Sequence, residues 1–446
     1  MPIPCFDVEF TKDGAIFQPA QVDALLGSLT GITDLLVVSH GWNNNKAEAS
    51  KLYDDLLGNV DKLLDLRNLN NAPAPLKPFV GRLADRSFAA VRIFWPSKRF
   101  EDADLIPGGG AVSMQAEAEN EKALLQVLNR LKENPQVLGG SERDAKSEDA
   151  MEKAKLLVPN LGVSAQARKE FIDLLRSILD PSMQEKDDAS EGFFAADAET
   201  LFANAQDPVV APSGGGGGSG VSVVEGAVGL GDLLKGFVAG ARRITNFTTY
   251  YQMKARAGAV GSAGACEVLR RVRQARNDIR IHLAGHSFGG RLVTAAANGL
   301  PDNTGNVSVS LLQAAFSHNG LSGSFGNGDR GFFRDVIDKK RISGPIIITH
   351  TKNDKAVGIA YPLASRIAGQ NAAALGDQND PYGGMGRNGA QHTDEADNTF
   401  TLGLPGTSYA FEQGRIHNLL SDVIQNHGDV ARIEVAYAVL SAAGFV

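Results

Sequence analysis

Cysteine is nearly absent: the 446 residues include two, Cys5 and Cys266, far apart in the chain. That excludes a disulfide-stapled scaffold and a cysteine-based zinc site, and it fits a reducing compartment. Long uncharged apolar runs are missing too. The nearest, from Val221 to Ala241, is broken by Glu225, Asp232, Lys235 and several glycines, well short of a span that crosses a bilayer. It reads as a soluble helix or a cover over an apolar pocket. Basic charge is not in excess, with 44 Lys and Arg against 51 Asp and Glu and a formal net charge of -7. No basic cluster carries interleaved aromatics, so a nucleic-acid partner is not expected. The opening Met1-Pro2-Ile3-Pro4-Cys5-Phe6-Asp7 has neither the basic head nor the apolar stretch of a secretory signal. A cytoplasmic location is therefore expected, with signal-independent export as the alternative. No His-Glu-x-x-His, paired-cysteine motif or well-formed calcium loop occurs, so neither a metal nor a cofactor is expected. Asp377, Asn379 and Asp380 make only a loosely calcium-like patch in what reads as a mobile loop.

Apolar residues make up 43% of the chain, enough to fill a sizeable core, and their pattern is that of an α/β fold. Phe6 to Phe10 and Ala15 to Phe17 read as short edge strands, and Gln21 to Leu29 as a helix. Asp34 to Ser39 is a continuous apolar run of the kind buried on both faces of a parallel sheet. A helix from Ala47 to Leu66 and a strand from Phe88 to Ser97 complete a βαβ unit. From about 101 to 246 the pattern turns helical and charged, with Glu117 to Leu131 and Ala165 to Leu179 the clearest helices. This segment is read as a cap inserted into a core made of residues 1–100 and 247–446. Ser213 to Gly220 within it is a flexible linker by composition, without the lysine of a phosphate-binding loop. Helical pattern returns at Thr248. Strands follow at Val307 to Gln313, Pro345 to His350 and Arg415 to Leu420, with a closing helix from Val430 to Ala443 and a Gly/Asn/Asp-rich loop over 369–398.

The stretch that carries chemistry is Ile279 to Val293. Ile279, Ile281 and Leu283 alternate as a strand, Gly285-His286-Ser287-Phe288-Gly289 makes a tight turn, and Leu292 onward reads as helix. A serine at such a tip projects its hydroxyl beyond the sheet, while the glycines remove Cβ atoms that would collide as strand and helix close. This is the one Gly-x-Ser-x-Gly in the chain. A serine hydroxyl needs an imidazole to take its proton and a carboxylate to hold that imidazole. Asp354 lies just past the strand ending at His350, where the acid belongs, although Asp380, Asp394 and Asp397 remain rivals. His427 lies between the last strand and the last helix and is the expected base; His417 is its rival but falls inside a strand. The order Ser287, Asp354, His427 is that of an elbow-type hydrolase. Two fixed N–H donors should face the oxyanion: the amide of Phe288, and one from the loop at Gly41 and Trp42, where Trp42 can also wall an acyl pocket. His40, Trp95 and His286 are expected to border the substrate, His286 as packing of the elbow rather than a second base. His318 and His350 sit near strand ends, and His282 reads as a satisfied sheet histidine.

Together Ser39-His40-Gly41-Trp42, Phe94-Trp95-Pro96-Ser97 and Gly285 to Val293 resemble the α/β-hydrolase superfamily, and within it poorly characterised bacterial esterase/lipase-like hydrolases, over about 30–100 and 248–446. The resemblance implies a mostly parallel sheet with helices on both faces, a lid formed by the helical insertion, and hydrolysis of a small-molecule or lipid-like carboxylic ester through an acyl-enzyme. Thioesterase, lactonase or amidase activity would use the same residues. The alternatives from other classes are a non-catalytic scaffold that keeps the fold and a secreted lipolytic effector.

Overall fold

The run Asp34–Ser39 is buried at all six positions, which requires protein on both of its faces. The computed structural model describes residues 2–42, 44–66, 73–97, 121–129, 145–188, 190–205, 230–357 and 378–446. Among them, β1 (Cys5–Glu9), β2 (Asp34–Ser39), β3 (Phe88–Phe94), β4 (Arg280–His286), β5 (Val307–Leu312), β6 (Ile346–His350), β7 (Ala396–Thr401) and β8 (Ile416–Leu420) form one sheet. Its order is β1-β3-β2-β4-β5-β6-β8-β7, and every neighbouring pair is parallel. Parallel neighbours need crossovers, and the crossovers lay helices over both faces. Side chains alternate accordingly: Leu35 and Val37 enter one core, Leu36 and Val38 the other.

The longer helices are α1 (Pro19–Gly27), α2 (Lys46–Asp65), α3 (Lys77–Leu83), α4 (Ala145–Leu157), α5 (Ala165–Ser177), α6 (Ser190–Ala195), α7 (Ala198–Ala205), α8 (Leu230–Ala259), α9 (Cys266–Ala275), α10 (Phe288–Asn298) and α11 (Ile433–Ala443). Tyr53, Leu56 and Val60 of α2, Phe79 of α3 and Tyr437 of α11 build the core on one face. Helices α1, α9 and α10 cover the other, together with those between β3 and β4. Helix α2 starts where it does because of a reciprocal cap: the Asn45 side chain accepts from the Glu48 amide at 2.9 Å, and the Glu48 carboxylate accepts from the Asn45 amide at 2.7 Å. The cap also fixes the end of the loop that leaves β2. Cys5 is exposed on the edge strand β1, whereas Cys266 is buried at the start of α9.

The described part of the insertion is helical as expected, and it lies on the sheet rather than hanging from it. Phe171 and Leu175 of α5, Leu201 and Phe202 of α7, and Ile244 and Phe247 of α8 share one apolar core with Leu35 and Ile281. Helix α8 passes unbroken through residues 246 and 247, so one helix belongs to both cap and sheet layer. It begins at Leu230, within the stretch to Ala241 read as a soluble helix or a cover, and runs on without a break into the pattern expected from Thr248, packing overriding the poor helix propensity of Gly236 and Gly240. A π-helical turn, Val260–Ala265, joins α8 to α9. Its glycines are required: a Cβ on Gly261 would strike the Leu292 carbonyl oxygen of α10, and one on Gly264 would strike the Phe10 ring.

Between α5 and α6 a strap of chain carries Glu185, Asp187 and Asp188 into the interior, all buried. Arg291 of α10 grips Glu185 through Nη1 and Nη2, and Lys254 of α8 bridges Glu185 and Asp188. The Phe332 amide donates to Asp187 Oδ2 at 2.9 Å.

Four expected elements differ. Residues 15–17 make only an antiparallel bridge, Phe10 to Ile16. Strand β3 ends at Phe94, just ahead of Pro96, which has no amide to donate to a ladder. The closing helix starts at Ile433 instead of Val430. Strand β7 falls partly in the expected 369–398 loop, an edge strand with no fully buried position. The glycine linker at 213–220, Asp377 and most of the 101–144 segment lie outside the described residues.

Candidate active site

Ser287 follows β4 directly and is the residue before α10, with φ 56° and ψ -126°. A non-glycine residue holds such angles only when its surroundings impose them. Here the Ser287 amide donates to the Leu312 carbonyl at 3.1 Å, and the Ser287 carbonyl accepts from the Gly290 and Ala315 amides, each at 3.0 Å. The flanking glycines have the steric cause the sequence implied. A Cβ on Gly285 would strike the Gly289 carbonyl, and one on Gly289 would strike the Ser39 carbonyl of the neighbouring strand. The serine is 5% exposed.

Asp354 and His427 meet each other, and His427 is bonded to His286, the residue before Ser287. Asp354 follows β6 and is fully buried, with Oδ1 accepting from the Val357 amide at 3.0 Å. His427 Nδ1 and Asp354 Oδ2 are 2.8 Å apart, so Nδ1 carries the proton toward the carboxylate and Nε2 is left as the basic nitrogen. Burial disfavours the charged imidazole, but the Asp354 charge and hydrogen bond outweigh it and raise the His427 pKa above 6.5. Among the described residues no hydrogen bond joins Ser287 Oγ to His427. Asp380, Asp394 and Asp397 make no hydrogen bond to His427 among the described residues. His417 lies within β8, where Nε2 accepts from the Glu412 amide at 3.0 Å.

The loop after β2 abuts the serine. A Cβ on Gly41 would lie 2.5 Å from Ser287 Cβ and 3.1 Å from its Oγ, so only glycine fits there. Phe288 opens α10, and the first amides of a helix have no partner within it. The Phe288 ring packs on Trp42 with centroids 5.9 Å apart and on Tyr250 of α8 at 5.2 Å, which places an aromatic wall beside the serine.

His40 and Trp95, both buried, brace this loop from inside. Their rings stack at 5.6 Å, Trp95 Nε1 donates to the His40 carbonyl at 3.1 Å, and His40 Nδ1 donates to the Gly41 carbonyl at 2.9 Å. Burial pushes the His40 pKa down to about 4, the Gly41 bond notwithstanding. His286 ends β4 and donates from Nε2 to the His427 carbonyl at 2.8 Å. His282 lies between Asp34 and Ser308, at 2.8 and 2.9 Å, the satisfied sheet histidine that its position implied. His318 is buried, with Asn388 Nδ2 donating to its Nδ1 at 3.2 Å.

Gln313 is a residue that motif reasoning passed over. It follows β5 with φ 46°, is fully buried, and its Nε2 lies 3.5 Å from Asp354 Oδ2. No local pattern marks it; the sheet order, with β5 between β4 and β6, brings it to Asp354.

One other cluster invites a cation. Single oxygens of Glu185, Asp187 and Asp188 all lie within 4.8 Å of one another. Lys254 and Arg291 already occupy it, and Lys254 sits where an ion would bridge Glu185 and Asp188. Compared with protein-family profiles, with curated proteins and with solved structures, the chain matches none of them.

Proposed function

We propose that this protein is a serine hydrolase of the α/β-hydrolase type that cleaves carboxylic esters. The observation that carries the reading is the buried Asp354 carboxylate bonded at 2.8 Å to Nδ1 of His427, both beyond the carboxyl ends of the strands, as is Ser287, held at positive φ. An aspartate so placed fixes the tautomer that a general base needs. In this reading His427 Nε2 closes on Ser287 Oγ as substrate enters, a contact that tightens only in the substrate complex. Ser287 Oγ attacks the ester carbonyl and its proton passes to His427. The amides of Phe288 and Trp42 hold the oxyanion, and the imidazolium protonates the departing alcohol. Water, deprotonated by His427, then releases the acid from the acyl-serine. The aromatic wall of Trp42, Phe288 and Tyr250 favours an apolar acyl chain.

The test is hydrolysis of short- and long-chain p-nitrophenyl esters by wild type and Ser287→Ala, with intact-mass detection of a fluorophosphonate adduct. Turnover and labelling should vanish together in the variant, with longer acyl chains preferred by wild type. A folded wild type that neither hydrolyses any ester nor gains the adduct would contradict the reading.

A further inference from the structure

His286 stands between the two loops that the hydrolase reading needs, and its bonding is unusual for a buried histidine. Its side chain ends β4, one residue before Ser287, and is 8% exposed. Nε2 donates to the backbone carbonyl of His427, and the two rings lie 4.8 Å apart, inclined at 44°. Because Nε2 must carry the hydrogen to meet a carbonyl, Nδ1 holds the lone pair. That nitrogen is buried and has no hydrogen-bond partner among the described residues. It points at the oxyanion loop: a Cβ on Gly41 would come within 3.2 Å of it. Burial, with the His427 charge next, pushes the His286 pKa down to about 3, so the ring stays neutral and does not compete for the serine proton.

The loop that carries His427 explains why such a bond matters. At its borders the backbone is tied down from outside, with Asn353 Nδ2 donating to the Ile424 carbonyl at 3.0 Å and Asn59 Nδ2 to the Ala431 carbonyl at 2.8 Å. Within 425–430 the backbone bonds are local, such as the Asp429 amide to the Asn426 carbonyl and the Val430 amide to the Gly428 carbonyl. Among the described residues, the His286 bond is the one hydrogen bond from the backbone of 425–430 to another part of the chain. Asp354 orients the imidazole ring; it leaves the backbone that carries the ring free to shift.

We infer that His286 is a positioning residue that pins the base-bearing loop to the strand of the nucleophile and sets the approach of His427 Nε2 to Ser287 Oγ. The inference rests on the hydrolase reading above. A displacement of about 1 Å between reacting groups is enough to cost about 100-fold in rate, and among the described residues no other hydrogen bond holds the carbonyl in register.

The decisive experiment compares wild type, His286→Leu and His286→Gln, measuring kcat and KM on the best p-nitrophenyl ester and the rate of fluorophosphonate labelling at Ser287. Leucine keeps bulk but loses the donor; glutamine keeps an N–H at similar reach. We expect kcat and the labelling rate to fall about 100-fold in His286→Leu with KM within about threefold, and His286→Gln to recover to within about tenfold of wild type. Thermal melts of both variants establish that they fold, and the glutamine variant carries the test if leucine does not. Equal impairment of both variants, or equal labelling of His286→Leu and wild type, overturns the inference alone. A folded wild type that is unlabelled at Ser287 and inactive on every ester overturns the hydrolase reading and this inference with it.

Discussion

At the scale of single residues, the pairing of His427 with Asp354 makes a signed prediction. A base works only when neutral, and the His427 pKa is raised above 6.5 because the Asp354 carboxylate outweighs burial. The acidic limb of kcat/KM is therefore expected above pH 6.5. In Asp354→Asn the stabilising charge is gone while burial remains, so the limb should move to lower pH as kcat drops by about 10⁴-fold. A pH–rate profile that keeps its limb in the variant would sink the assignment. That Asp354 and His427 would meet was legible from position, one just past a strand and the other ahead of the last helix, where a parallel sheet brings such loops together. Gln313 was not, because nothing local marks it; its significance comes from the crossover that sets β5 between β4 and β6. His40 and Trp95 were visible as a motif, but not the fact that their rings face inward, which depends on the stack they form with each other.

At the scale of elements, the strap between α5 and α6 shows what burial does to an acid. Three carboxylates meet two cations there, and Asp187 is left with one oxygen unpartnered among the described residues. Burial first, then the charges of Glu185 and Asp188, raise its pKa from 3.8 to about 7. The sign follows by linkage. Between pH 3.8 and about 7 the folded chain keeps a proton that the unfolded chain has released, so stability falls as pH rises through that window. Asp187→Asn should remove the loss, leaving the variant close to wild type at pH 4 and more stable at pH 8, by at most on the order of 4 kcal/mol. Thermal melts at the two pH values decide it; a variant less stable at both would show that the carboxylate is needed ionised. None of this pairing could be read from the local acidic run of Glu185, Asp187 and Asp188, because the cations that meet it come from α8 and α10, at 254 and 291. Elements themselves were legible where the apolar pattern is unbroken, as in β2, or strongly periodic, as in α5. They failed where packing decides: β7 is polar enough to pass for a loop.

At the scale of the whole molecule, the inserted helices and the sheet share one core, to which Phe171 of α5 and Ile281 of β4 both belong, and they are expected to unfold together. Phe171→Ala is expected to cost about 3–5 kcal/mol and to lower a single calorimetric transition; a separate early transition would mean that the cap melts alone. The α/β order was legible from the alternation of apolar runs and helical stretches, whereas the cap's seat on the sheet was not, since a helical pattern alone does not say which surface it will cover. The two cysteines offer a way to watch this unity. One thiol lies exposed on the outer edge strand and the other is buried in α9's first turn. A maleimide therefore counts one residue in the native molecule and two in the unfolded one, giving each chain its own mass-coded record of whether it has opened.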